Sequence, residues 1–101
     1  MKPKNFKVTS LDEFQGLVDR KDFSISRAVV DSILNNLKTR KKHIHVLSVK
    51  CVEEDTIFDI TLERTHFIDT LKNNISYFED REMYEDCIKI NEGIKILNLK
   101  K

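Results

Sequence analysis

The sequence predicts a single α+β domain with the element order (β)-α-α-β-β-α-α, in which helices pack on one face of an antiparallel β-hairpin. Apolar residues recur at helical spacing before residue 43 and after residue 64, and they alternate with polar residues between these positions. The chain has 101 residues with only two glycines and one proline, which suits one core with short connections. Residues 1–101 are therefore expected to form one domain, with an ααββ portion over 1–64 and a C-terminal helical hairpin over 65–101.

A short strand and two helices are predicted ahead of the hairpin. Met1 to Asn5 is expected to be a loose polar start, and the alternation of Phe6-Lys7-Val8 predicts an edge strand. Ser10 and Glu13 have the spacing of a capping box, so a helix is expected from residue 11 to about residue 20. Ser26 is the predicted N-cap of a second helix, whose apolar stripe consists of Val29, Val30, Ile33, Leu34 and Leu37.

The central hairpin is predicted from alternation on both of its strands. A two-residue loop at Glu54-Asp55 aligns three apolar pairs on one face, which are Leu47 with Leu62, Val49 with Ile60, and Cys51 with Phe58. The same register places Lys50 opposite Asp59 on the other face, which is a favourable cross-strand pair. Because one register satisfies both faces, the six apolar side chains are expected to be buried together.

Two further helices are predicted after residue 64, joined by the short polar break Glu79–Glu82. Thr65 is the expected N-cap of the first, whose apolar stripe consists of Ile68, Leu71, Ile75 and Phe78. The second helix carries a stripe at the 4-3-4-3 spacing of packed helices, formed by Met83, Cys87, Ile90, Ile94 and Leu97. So short a link makes the two helices an antiparallel hairpin.

Four apolar residues of the last helix lie off this stripe and predict a partner-binding surface. They are Tyr84, Ile88, Ile96 and Leu99. Part of this surface is expected to cover the sheet, and the rest is expected to bind a protein partner or a second copy of the chain, since apolar side chains favour a neighbour over water. The sequence therefore predicts a small non-catalytic adaptor or regulator that acts through its C-terminal helical hairpin.

The stretch from Tyr84 to Leu97 resembles the second helix of the UVR motif, the small helical hairpin at the end of the UvrB and UvrC excision-repair proteins. The matching residues are Tyr84, Glu85, Cys87, Ile90, Ile94 and Leu97, and Leu71 and Ile75 resemble the first helix. The chain departs from the motif at Ile88, where the motif has alanine, and at Asn91-Glu92, where it has Arg-Asp. The resemblance covers about a quarter of the chain and implies a helical hairpin for protein–protein association rather than chemistry.

The sequence carries no reaction signature, so it predicts no enzyme, no metal site and no cofactor. His43 and His45 point the same way on a strand, but Cys51 lies about 20 Å beyond His45 along that strand, so no close ligand set forms. Cys87 lies on an apolar helical stripe, which is unfavourable for a thiolate, so a nucleophilic pair with His66 is not expected. Two glycines are too few for a glycine-rich phosphate loop.

Nucleic-acid binding is the alternative prediction, carried by basic residues near the end of the second helix. They are Lys38, Arg40, Lys41 and Lys42, with Arg27 earlier in the same segment. Such a cluster can neutralise phosphates, and cations also favour helix C-termini through the helix dipole. The order helix, helix, hairpin resembles a winged helix-turn-helix with Arg27–Lys42 as recognition helix, but the acidic tip Glu53-Glu54-Asp55 would repel phosphate. The net charge of +1 favours neither prediction.

A cytoplasmic location is expected from the first residues and from the cysteines. Met1 to Asn5 leads into no apolar signal segment, and no apolar run approaches the ~18 residues of a membrane span. Cys51 and Cys87 form no C-x-x-C pair, and two reduced thiols suit the cytosol.

Overall fold

A computed structural model describes residues 4–20 and 22–99 of the chain. Within these residues, three strands and four α-helices follow one another in the predicted order. Their bounds are β1 Lys4–Val8, α1 Leu11–Asp19, α2 Phe23–Asn35, β2 His43–Cys51, β3 Thr56–Glu63, α3 Phe67–Asp80 and α4 Tyr84–Leu99, with a 3-10 turn at Arg64–His66. The α+β fold class and the C-terminal helical hairpin, α3–α4, are confirmed.

The three strands form one sheet in the order β1-β2-β3, so β2 is central and β1 and β3 are the edges. β2 and β3 are the predicted antiparallel hairpin, whereas β1 runs parallel to β2. Parallel neighbours need a crossover connection, and α1 and α2 provide it. The expected polar start is wrong for Lys4 and Asn5, which belong to β1; Met1–Pro3 lie outside the described residues.

The register of the hairpin differs by two residues from the predicted one. Leu47 lies opposite Ile60 instead of Leu62, because the turn contains the four residues 52–55 rather than two. A two-residue turn of the commonest kind needs a left-handed backbone at both central positions. Of the two predicted loop residues only Asp55, with φ of 48°, has that conformation.

The shift of two residues keeps side chains on their predicted faces but changes their neighbours. Lys50 lies opposite Ile57, so the predicted pair of Lys50 with Asp59 does not form, and Asp59 lies opposite Ser48. A bulge in β2 lies between His45 and Leu47. Of the six side chains predicted to be buried together, Leu47, Val49 and Cys51 are buried, Phe58 and Leu62 are half-buried, and Ile60 is exposed.

Side-chain caps explain where the first two helices begin. The predicted box at α1 is confirmed, since the Ser10 side chain accepts the N–H of Glu13 at 3.3 Å. The cap of α2 is Asp22, whose carboxylate accepts a backbone N–H at 2.9 Å. The predicted cap Ser26 is instead buried inside α2, and the predicted cap Thr65 lies in the 3-10 turn that precedes α3.

The hydrophobic core lies between β1–β2 and the layer of α2, α3 and α4. Its most deeply buried side chains are Val8, Val30, Ile33, Leu47, Val49, Cys51, Phe67, Leu71, Phe78 and Ile90. Gly93 lets α4 approach its neighbours closely, because a Cβ there would lie 2.9 Å from Leu34 and 3.5 Å from Leu71. The predicted seam of α4 is confirmed: Cys87, Ile90 and Leu97 are buried, and Met83 and Ile94 pack against the core.

Candidate functional site

Helix α4 carries apolar side chains on two opposite sides. Its inner side is the buried seam described above. On its other side, Tyr84 is 62% exposed, Ile88 is 58% exposed and Leu99 is 85% exposed. The fourth predicted partner-binding residue, Ile96, is half-buried on the flank between the two sides. Three of the four predicted residues are therefore presented to solvent.

The three exposed apolar residues and the exposed Lys95 follow one face of α4, which we call the outer α4 face: Tyr84, Ile88, Lys95 and Leu99. At 100° per residue these positions lie within about 60° of one another around the helix axis, and they extend over about 22 Å along it. Lys95 lies between Ile88 and Leu99 along this face, and the aliphatic stem of a lysine can cover apolar surface.

The neighbouring helix α3 has the opposite character on its exposed side. Its exposed residues are all polar, and they are Asp69, Lys72, Asn73, Ser76, Glu79 and Asp80. α3 therefore has the pattern of a surface helix with one buried stripe, and α4 does not. The difference between two helices of one hairpin singles out the outer α4 face.

The basic cluster lies in a loop rather than at the end of a helix. α2 ends at Asn35, so the segment Arg27–Lys42 is not one recognition helix. Residues 36–42 form the loop between α2 and β2, and the four cations Lys38, Arg40, Lys41 and Lys42 are exposed on it. Because the cations lie beyond the last turn of α2, the helix dipole does not account for all of them.

Arg64 fixes the shape of this basic loop from inside. Its guanidinium donates to the backbone oxygens of Lys41 at 2.6 Å and Asn36 at 2.9 Å, and to the hydroxyl of Thr39 at 2.9 Å. The guanidinium carbon also lies 4.9 Å from the ring centroid of Phe67. Arg64 was not among the predicted site residues, because these hydrogen-bond partners lie more than 20 residues away along the chain.

A groove of about 1020 Å³ opens beside the loop. Its lining combines cations and polar groups with two apolar side chains, and consists of Thr39, Arg40, Lys42, His43, Glu63, Arg64, Thr65, Ile68 and Leu97. His43 and Glu63 lie 3.7 Å apart across the ends of β2 and β3. The groove therefore has a positively charged rim and an apolar floor.

Arg27, the fifth residue predicted for nucleic-acid binding, is engaged elsewhere. It pairs with Asp86 of α4 at 3.0 Å and with Asp31 at 3.2 Å, and its guanidinium lies 5.7 Å from the ring centroid of Phe78. The hydrogen bond to Asp86 raises the pKa of Arg27. Arg27 also lies about 12 Å before the end of α2, so it connects two helices rather than extending the basic cluster.

The acidic turn Glu53-Glu54-Asp55 lies at the opposite end of the hairpin from the basic loop. β2 is nine residues long, so its two ends are separated by about 26 Å. A winged-helix protein needs its wing and its recognition element on the same side of the nucleic acid. This separation removes the wing from any surface built around Lys38–Lys42.

The outer face of the sheet holds a cluster of His45, Ser48 and Asp59 that sequence reasoning missed. The Ser48 hydroxyl lies 2.8 Å from both Asp59 Oδ1 and His45 Nε2. The same Nε2 lies 3.0 Å from the carbonyl oxygen of Leu47, which can only accept, so this contact is a hydrogen bond when Nε2 carries the proton. In that tautomer Nε2 cannot take a proton from Ser48 and cannot act as the general base of a nucleophilic serine.

Cys51 and Cys87 are buried, whereas His43 and His66 are exposed. Among residues 4–20 and 22–99, no three His, Cys, Asp or Glu side chains lie close enough to hold a metal ion. Burial raises the pKa of the Cys87 thiol, which favours the unreactive protonated form. His66 lies exposed in the 3-10 turn before α3. No helix in the described part of the chain is both long and apolar enough to cross a membrane.

Comparisons with protein-family models, with curated proteins and with solved structures found no match to this chain. The resemblance of Tyr84–Leu97 to the UVR motif therefore stays a prediction. The outer α4 face and the basic loop are therefore the two candidate functional surfaces.

Proposed function

We propose that the protein is a non-catalytic adaptor or regulator that binds a protein partner through the outer α4 face. One observation carries the proposal: α4 has apolar side chains on two sides, and Tyr84, Ile88 and Leu99 on the outer α4 face are exposed. Full burial of an aliphatic side chain such as Ile88 or Leu99 stabilises an association by roughly 1.5–3 kcal/mol. A partner that covers this face therefore gains more than it would from the polar outside of α3.

The spacing and the charges of the outer α4 face define the partner's chemistry. Tyr84 and Ile88 are one helical turn apart, and Lys95 and Leu99 repeat that interval further along. Such anchors suit an apolar groove or a second helix laid along α4. Glu85 and Glu92 are exposed along one margin of the face, so a partner with Lys or Arg at its rim is favoured.

The test is affinity capture from the native cell with the wild type and two matched double variants. Tyr84→Lys with Ile88→Lys places two charges on the outer α4 face, and Asn73→Lys with Ser76→Lys places the same charges on the outside of α3. We expect proteins captured by the wild type and by the α3 variant to be lost from the α4 variant, while circular dichroism shows all three folded.

Two outcomes would contradict this function. One is an α4 variant that captures the same proteins as the wild type. The other is an α4 variant that unfolds when the α3 variant does not, because Tyr84 and Ile88 would then belong to the core. Single substitutions of Glu85 or Glu92 to Lys complete the design, since a partner with a basic rim should bind these variants more weakly.

We propose nucleic-acid binding through the basic loop as the second candidate function. The observation that favours it is the three-point attachment of Arg64 to the loop, which holds exposed cations on a preformed backbone. Cations held in place lose less conformational freedom on binding phosphates than cations on a mobile segment do. The groove beside the loop adds two apolar side chains, Ile68 and Leu97, against which the face of a base could pack.

Salt dependence separates the two candidate functions. If Arg40, Lys41 and Lys42 each contact a phosphate, replacing all three with Gln should make the slope of log affinity against log salt shallower by about 2–3. Lys7 and Lys50 are exposed on the outer face of the sheet, and their replacement with Gln is the charge control. An equal effect per removed charge in both sets of variants would show that only net charge matters, and would remove this candidate.

A further inference from the structure

β3 is an edge strand of the sheet, and it exposes apolar side chains. Ile57 on its outer face is 63% exposed and Ile60 on its inner face is 37% exposed, and Phe58 is only half-buried. β3 pairs with β2 on one side, and no other strand among the described residues pairs with it. An eight-residue edge strand without proline, with apolar side chains on both faces, is a template for pairing with another strand.

The hydrogen bonds of β2 show which backbone groups of β3 are open. Val8 lies opposite Cys51, and its carbonyl accepts the N–H of Val52 at 2.9 Å. The backbone of residue 52 therefore points to β1, and by alternation the backbones of residues 51, 49 and 47 point to β3. The backbone groups of their partners in β3, residues 56, 58 and 60, therefore point to β2. The N–H and C=O groups of Ile57, Asp59, Thr61 and Glu63 are left along the open edge.

We propose that β3 pairs antiparallel with β3 of a second copy of this chain, with the two-fold axis at Ile60. The two three-stranded sheets then join into one six-stranded sheet. On the inner face Ile60 meets Ile60 of the second copy, and Phe58 meets Leu62. On the outer face Asp59 meets Thr61. This surface is separate from the outer α4 face, so the inference goes beyond the proposed function.

Repulsion between like charges disfavours the registers centred one residue to either side. Only the odd-numbered residues offer backbone groups to the second copy. Within Thr56–Glu63 the registers with the longest overlap, seven residues, are therefore centred on residues 59 and 60, and those centred on residues 58 and 61 overlap over five. Centring on residue 59 places Asp59 directly opposite its own copy. Centring on residue 61 places Asp59 opposite Glu63 twice. Like charges directly opposite each other destabilise a strand pair, and the register centred on Ile60 has no such contact.

Cysteine cross-linking tests the two-fold axis. At Ile60 the two copies form a non-hydrogen-bonded pair, whose Cα atoms are about 4.5 Å apart, within the range of a disulfide. Ile60→Cys should therefore link into a covalent dimer under mild oxidation, whereas Thr61→Cys, which faces Asp59, should not. The wild-type cysteines do not interfere, because Cys51 and Cys87 are buried.

Charge substitution at Thr61 tests the same register without a covalent bond. Thr61→Lys puts a cation opposite Asp59 twice in each dimer, and should lower the dimer dissociation constant by about 2- to 30-fold. Thr61→Asp should raise it by a similar factor. In the register centred on residue 61, Thr61→Lys would instead place two lysines together and weaken the dimer.

Sedimentation of the wild type, with circular dichroism of each variant, completes the test. A dimer that is linked by Ile60→Cys and tightened by Thr61→Lys supports the proposal. A wild type that is monomeric at all concentrations overturns it, and so does a link through Thr61→Cys that forms as readily as the link through Ile60→Cys. The Tyr84→Lys and Ile88→Lys variant should keep the dimer mass, so this test fails or succeeds independently of the proposed function.

Discussion

β2 and β3 are two strands of one hairpin, but the helices cover β2 more completely than β3. β2 lies at the centre of the sheet under α2, and all its inward-facing apolar side chains are buried. The inward-facing side chains of β3 alternate just as regularly, yet Ile60 remains exposed and Phe58 half-buried. Alternation shows which side of a strand is apolar, but it does not show whether another layer covers that side.

The same difference separates the two sides of α4. Cys87 and Ile88 are consecutive residues, and the first is buried while the second is exposed. In both elements, the open side carries apolar residues that are exposed to solvent. We infer that these open sides, rather than a pocket with reactive groups, are where the molecule meets its partners.

The largest expected effect is on stability, from cross-strand neighbours on the inner face of the sheet. Leu47 is 1% exposed and lies opposite Ile60. Leu47→Ala should lower the free energy of unfolding by about 2–5 kcal/mol, because it leaves a cavity in the core. Ile60→Ala should lower it by about 1–2 kcal/mol, since its side chain is only partly removed from water. Urea denaturation of dilute protein measures both; equal losses would show that β3 is covered.

The next largest effect is expected at Arg64, which attaches the basic loop to the start of α3. Arg64→Ala removes three hydrogen bonds and the contact with Phe67, and should destabilise the protein by about 1–3 kcal/mol. Lys42→Ala, in the same loop but exposed, should be nearly neutral. Thermal unfolding compares the two variants. Equal effects would mean that Arg64 does not hold the loop.

A smaller effect should appear in the pH dependence of stability, on the covered side of α4. Below about pH 8.5 the Cys87 thiol is protonated in both states. Above that pH the unfolded chain loses the proton, while burial raises the pKa of Cys87 and keeps it protonated in the native state. Stability should therefore fall with rising pH, by up to about 1.4 kcal/mol per unit. The stability of Cys87→Ala should decline less steeply with pH than that of the wild type. An identical decline would show that other groups cause the pH dependence.

The smallest effect is expected on the open side of the same helix. Ile88→Lys should change the free energy of unfolding by less than about 0.5 kcal/mol, as substitutions of exposed residues usually do. Chemical denaturation beside Ile90→Ala, a fully buried neighbour in α4, gives the contrast. A loss at Ile88 comparable to that at Ile90 would show that the outer α4 face is part of the core.

Local patterns predicted the order of the elements, because helical and alternating spacings can be recognised within a short stretch of sequence. The capping box at Ser10 and the seam from Met83 to Leu97 were predicted for the same reason. The register of the β2–β3 hairpin was not predicted correctly. It depends on a four-residue turn, and no residue type at the ends of this turn marks where the strands stop. Asp22 and Ser26 are both capping residues, and only the packing of α2 decides between them.

The candidate site was predictable in part. Tyr84, Ile88 and Leu99 lie off the seam of α4, and that offset is visible in the sequence. The loop position of the basic cluster and the role of Arg64 could not be predicted, because they depend on contacts between segments that are distant along the chain. Arg27 was grouped with the cluster by charge alone, but it is paired with Asp86 of another helix.

Hydrogen exchange of the β3 amides, measured by NMR from dilute to concentrated protein, tests most directly whether the open edge receives a second strand. In dilute protein the amides of Phe58, Ile60 and Leu62 should be protected by β2, and those of Ile57, Asp59 and Thr61 should exchange freely. Raising the concentration should protect the second group as well. If those three amides still exchange freely in the most concentrated samples, β3 does not pair with a second copy.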